Sequence, residues 1–203
     1  MSVTGSGAAH PVDHAFARRA GVQAYLVAAV SLAYALVYLG FVRRDPNDHN
    51  AAAVGWALIA AGGLSATLAT TAAAARVGGD ARWWLSGIGV GYGLLSAVHG
   101  MYAAIAEVRG IAISELSPVD PRGLATFGLA GLWAFTLGLE IRSGNSALPG
   151  GLGWLAIVAG LDLMLLFVAT VAGSEPLVLA SGGLASVILV PGLWIWTGRS
   201  LRR

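Results

Sequence analysis

The chain has 203 residues and a formal charge of +2; 57 % of its residues are hydrophobic, only 11 % are charged, and the mean hydropathy is +0.74. An ordinary soluble domain carries about 25 % charged residues, so this composition excludes a soluble fold. The same apolar content excludes a disordered chain.

Every basic residue is an arginine, set singly or in pairs at the ends of apolar runs. That placement fits membrane topology rather than nucleic-acid binding, which needs a clustered basic face. The absence of lysine removes a retinal Schiff base and a lysine nucleophile. The absence of cysteine removes disulfides, cysteine zinc sites, iron–sulfur clusters and thiol catalysis.

In chain order, residues 1–19 read as a polar N-terminal tail. His10 and His14 stand four apart around Asp13, and read as solvated rather than as metal ligands. Six apolar runs follow, at residues 20–42, 51–75, 83–106, 123–141, 151–172 and 176–197. Each approaches the roughly 20 residues needed to cross a hydrocarbon core of about 30 Å. The first follows Arg18 and Arg19 as a signal peptide would. It is longer than the roughly 7–15 residues of a signal core, so it reads as a retained span. Residues 199–203 form a basic C-terminal tail. The expected fold is therefore all-α, a polytopic membrane bundle of about six transmembrane helices spanning residues 20–198.

With six spans, both termini share a side with Arg76, Arg82 and Arg142, while Arg43, Arg44, Arg109 and Arg122 lie opposite. The positive-inside rule then puts both termini in the cytoplasm. Trp83, Trp84, Trp154, Trp194 and Trp196 would mark the inner interface and Trp56 the outer one.

Packing between spans is expected from small residues, because lipid is as apolar as leucine and gives helices no reason to associate. Gly87/Gly91 and Gly89/Gly93 form two overlapping GxxxG pairs in the third span, suited to packing within the bundle or against another subunit. Pro191-Gly192 in the sixth span should bend that helix or leave a carbonyl free. Gly55-Trp56 through Gly62 resembles Gly153-Trp154 through Gly160 at the start of the second and fifth spans. Such a match is either chance in a Gly/Ala/Leu alphabet or a trace of a 3+3 inverted repeat.

The polar groups within the runs are the candidate sites. Asp162, mid-way along the fifth run, would cost roughly 2.5–3.5 kcal/mol at the bilayer centre. It reads either as a neutral hydrogen-bonder to a neighbouring helix or as a proton or ligand site. In the third run Tyr92 and His99 share a face, flanked by Ser96 and Tyr102, and Glu107 ends the helix near that stripe. The stripe suits interhelix hydrogen bonds, or a quinone, lipid-headgroup or ion site.

Several chemistries lack their residues. A second intramembrane histidine for bis-histidine haem and a second intramembrane aspartate for an aspartyl protease are both missing. So are a Gly-x-Ser-x-Gly elbow, a Walker loop and His-Glu-x-x-His. No metal-ligating set stands out and no cofactor is named by the sequence.

Three stretches carry a resemblance: Val98-His99-Gly100-Met101-Tyr102; Asp120-Pro121-Arg122-Gly123 through Leu148-Pro149 to Gly153; and Gly192-Leu193-Trp194-Ile195-Trp196-Thr197-Gly198-Arg199. Over roughly the last half of the chain these resemble uncharacterised multispan bacterial integral membrane proteins. The resemblance implies six spans and no known activity. Where such proteins carry an acid after the Tyr of His-Gly-x-Tyr, this chain has Ala103.

The expectation is a non-enzymatic subunit or scaffold of the bacterial cytoplasmic (inner) membrane, binding a lipid or hydrophobic small molecule. Its partners would be the lipid bilayer and other membrane subunits or a second copy, with no nucleic acid. The alternative is a small secondary transporter or channel using Asp162 and the stripe around His99.

Overall fold

The structure is a computed structural model that describes residues 13–111 and 121–203, with side chains described from residue 126 in the second part. Residues 1–12 with His10, and 112–120 with Glu115 and Asp120, lie outside the described residues. Among those described, the chain is an all-helical bundle. Its helices are α1 (His14–Val42), α2 (His49–Ala74), α3 (Ala81–Val108), α4 (Pro121–Arg142), α5 (Gly150–Val171) and α6 (Glu175–Leu201). Five of them, all but α4, are long and apolar enough by their described residues to cross a membrane, which fits a multi-pass membrane protein.

Local chemistry sets the boundaries. Asp13 caps α1 by accepting from the Ala15 backbone N–H at 2.8 Å, so the helix begins six residues ahead of the apolar run and takes in Arg18 and Arg19. Asp48 caps α2 in the same way, accepting from Ala51 N–H at 2.9 Å. At the other ends, Gly144 after α4 and Gly173 after α5 adopt φ of 82° and 65°, the left-handed turn that ends a helix at little cost only for glycine.

The burial pattern is inverted relative to a soluble core. Small residues such as Ala20, Ala24, Ala66, Ala69 and Ala156 are buried, while Leu36, Phe41, Val98, Val108 and Ile188 project outward. Large apolar side chains facing out over the whole bundle suit a hydrocarbon surrounding, since a soluble monomer rarely exposes such an area.

Consecutive helices run antiparallel. The α2–α3 pair is the most extensive interface, followed by α4–α5; α1 packs on α2 and on the last part of α6. Glycines set these close approaches. A Cβ placed on Gly63 would lie 2.6 Å from the Gly93 carbonyl oxygen, and one on Gly138 would lie 2.7 Å from that of Gly153. Gly21 and Gly198 meet in the same way between α1 and α6.

Of the two expected GxxxG pairs in α3, only Gly89/Gly93 packs inside the bundle, against Thr70 and Thr67 of α2. Gly87 and Gly91 face open space. The two pairs lie on opposite faces of one helix, and α2 can cover only one.

Pro191 acts through a local change of helix type. α6 widens to a π turn at Ala185–Leu189 just before it, one of the recognised ways a helix absorbs a residue that cannot donate. A second π turn, Tyr38–Val42, ends α1.

At the end where α1 begins and α6 stops, the α2–α3 and α4–α5 turns are stitched together. Gly78 N–H donates to Asn145 O and Ala147 N–H donates to Arg76 O, each at 2.9 Å, around an antiparallel bridge between Val77 and Ser146. In the two matching stretches, Gly55 and Gly62 of α2 face α1, and Gly153 and Gly160 of α5 face α4, while the tryptophans differ in their surroundings. Trp56 packs against His99, whereas Trp154 is exposed and lies beneath the Arg142 guanidinium.

Candidate functional site

At the end of the bundle opposite those stitched turns, the six helices separate around a cavity of about 440 Å³. The volume falls in the range of small-molecule sites, roughly 300–1,000 Å³. Its floor is an aromatic pair from α4 and α6: Trp133 and Trp194 stack with centroids 5.3 Å apart and planes 11° from parallel. Both are almost fully buried. Beyond them, toward the stitched turns, Leu85, Leu137 and Leu152 are packed solid. The cavity is thus a blind pocket rather than a through-passage.

One wall carries the polar groups of α3. Tyr92, Ser96 and His99 all line the cavity. His99 is buried, with its imidazole edge-on to Trp56 at 5.2 Å and 85°. Ser96 Oγ donates to the Tyr92 carbonyl at 2.8 Å, so its hydroxyl proton is used within the helix. The facing wall belongs to α1, where Tyr34 and Tyr38 stack at 6.0 Å and Ser31 lies deeper. Most of the remaining lining is aliphatic, from Val27, Ile59, Leu163, Leu166, Leu179 and Val190. Arg43 stands at the mouth. The arrangement can enclose an apolar body and offer polar contacts along one side, as small-molecule sites commonly do.

The other candidate residues go elsewhere. Tyr102 is 48 % exposed on the outer face of α3. Glu107 pairs with His49, Oε2 to Nδ1 at 2.7 Å, which ties the ends of α3 and α2. Asp162 does not line the cavity. It lies at the α5–α6 seam, where Ser181 Oγ donates to its backbone carbonyl at 2.8 Å. Its Oδ2 is buried with no hydrogen-bond partner among the described residues. The reason is geometric: neighbouring helical positions differ by about 100°, so Leu163 faces the cavity and Asp162 faces α6. Nothing therefore brings Asp162 and His99 into one site.

Trp194, expected at the inner interface, is instead buried as the floor of the pocket, and Trp56 supports His99. Trp83 and Trp154 do project outward. The α1 side of the pocket was not anticipated, although Ser31, Tyr34 and Tyr38 repeat the spacing i, i+3, i+7 of one helix face. Among the described residues, no group of three or more histidines and acids is placed to hold a metal ion.

Compared with known proteins, the chain matches no family model, no curated protein and no solved structure.

Proposed function

We propose that this chain is a six-span protein of the bacterial cytoplasmic membrane that holds a lipid or hydrophobic small molecule in the cavity above Trp133 and Trp194. In this reading both termini are cytoplasmic and the pocket opens toward the outer leaflet. The protein acts as a binding subunit or scaffold, with other membrane subunits or a second copy as partners, rather than as an enzyme.

The observation that carries the reading is the blind, largely aliphatic cavity bordered by all six helices. A void of this size left empty would forfeit dispersion contacts along its whole lining, and an apolar occupant restores them. The alternative, a transporter or channel built on Asp162 and His99, has less support: the two residues lie apart, and packed leucines close the pocket on the side of the stitched turns.

The test uses Gly183, which lines the cavity and has no heavy atom within 4 Å of a Cβ placed on it. Gly183→Leu adds a side chain at the cavity wall without a clash and improves helix propensity by about 1 kcal/mol. The substitution should weaken binding of an uncharged, environment-sensitive naphthylamine probe, followed by energy transfer from the buried tryptophans, while the melting temperature holds. Equal probe binding in Gly183→Leu and the parent would refute the cavity as the binding site.

A further inference from the structure

The last turns of α1 separate two apolar spaces. On one side is the cavity. On the other is a groove on the outside of the bundle, lined by Leu32, Leu36, Leu39, Gly40 and Arg44 of α1 and by Val187 of α6. Ala35, Leu39 and Val187 line both, so those side chains form the partition between them. The rims are unfilled: neither Gly40, in the groove, nor Gly183, in the cavity, has a heavy atom within 4 Å of where a Cβ would be.

Each space runs to an arginine at the same end. Arg43 lines the cavity and Arg44 lines the groove. The π turn that ends α1 positions them: Arg43 N–H donates to Tyr38 O at 2.8 Å and Arg44 N–H to Phe41 O at 2.9 Å, so adjacent residues leave the helix on either side of the partition. Both are exposed. Among the described residues the one ion pair is His49–Glu107, so neither arginine is paired there. The nearest acids are engaged in capping: Asp45 accepts from Asn47 N–H and Asp48 from Ala51 N–H.

Two apolar spaces on either side of α1, each ending at one of two consecutive arginines, match the form and charge of a two-chain lipid with an anionic head. We propose that an anionic phospholipid straddles α1, with one acyl chain in the cavity, the other in the groove, and its phosphate between Arg43 and Arg44. Guanidinium suits this role because its planar fork bonds phosphate oxygens in pairs. The proposal rests on the cavity being a ligand site, and adds the ligand's class and the residues that select it.

The experiment is a lipid titration of the full chain in detergent by native mass spectrometry. It compares phosphatidylglycerol with phosphatidylcholine of identical chains, and with inorganic phosphate as competitor. Phosphatidylglycerol should bind more tightly. Arg43→Gln/Arg44→Gln should weaken it by about tenfold or more, since each arginine near an anionic headgroup contributes on the order of 1 kcal/mol, and should leave phosphatidylcholine unchanged. Arg109→Gln, another exposed arginine at the same end of the bundle, should change neither. Gly183→Leu should weaken both lipids.

Equal binding of the two lipids, unaffected by the double substitution, would overturn the headgroup assignment while the cavity reading stood, provided Gly183→Leu still reduced binding. Displacement of the lipid by millimolar phosphate would indicate a free-anion site and overturn the lipid assignment. Loss of binding in Arg109→Gln as large as in the double variant would reduce the effect to general surface charge and also overturn it. If Gly183→Leu affects neither lipid nor probe, both this proposal and the cavity reading fall.

Discussion

Ser31 Oγ donates to the backbone carbonyl of Ser186 at 3.0 Å, joining α1 to the π turn of α6. The bond answers a vacancy created by Pro191. Within the π turn, Val190 N–H bonds Ala185 O, so the next carbonyl, that of Ser186, would take its proton from position 191, where proline has none. A hydroxyl from the neighbouring helix supplies it. Ser31→Ala should therefore leave a carbonyl short of a donor in an apolar setting and lower stability by about 1–2 kcal/mol. In Pro191→Ala, where the helix can donate for itself, the same change should cost less. Thermal unfolding of the four proteins in detergent gives the coupling; additive effects would show that the bond does not compensate for the proline.

The third span offers a matched pair of substitutions. Gly89→Leu drives a side chain into Thr70 and Trp133, whose nearest atoms would lie 2.5 and 3.0 Å from its Cβ. It should destabilise the bundle by about 1–3 kcal/mol or more, as overpacking does. Gly87→Leu meets nothing within 4 Å and should be neutral or slightly stabilising through helix propensity. If the two melting temperatures fall together, the outward face of α3 is itself covered, by a second copy or another subunit.

Asp162 separates a structural carboxyl from a working one. Asp162→Asn keeps a polar group beside Ser181 and removes only titration, so stability and probe binding should be unchanged within about 0.5 kcal/mol. Asp162→Leu should leave binding unchanged too, because the side chain is not part of the cavity lining. A proton flux into proteoliposomes that disappears in Asp162→Asn would promote the transporter reading over the one proposed here.

Topology is accessible because the chain has no native cysteine. Single cysteines at Asn47, between α1 and α2, and at Ser143, between α4 and α5, lie at opposite ends of the bundle. An impermeant maleimide added to intact cells should label the cysteine at position 47 and spare that at 143. The reverse pattern would invert the orientation.

The helical segments were legible because hydropathy alone marks them, and the Tyr92–Ser96–His99 face was legible because helical spacing gathers it. Neither argument reaches across helices. Gly87/Gly91 and Gly89/Gly93 have the same spacing, and only the positions of Thr70 and Trp133 decide which pair is covered. Trp194 has the composition of an interfacial residue, and it becomes a pocket floor because Trp133 arrives opposite it from another helix. Asp162 and Leu163 are sequence neighbours with different fates, settled by where α6 packs. The cavity itself is a space between helices, and no single run of residues encodes it.

The backbone bonds between the Arg76–Gly78 and Asn145–Ala147 turns act as a rivet through one end of the molecule. At the far end, the His49–Glu107 pair ties α2 to α3 within one hairpin. A rivet of this kind fixes the spacing of the two hairpins where it sits, and rotations of the α2–α3 arm against the α4–α5 arm disturb the riveted turns least. The tryptophan floor of the pocket lies nearer that rivet than its Arg43 rim does.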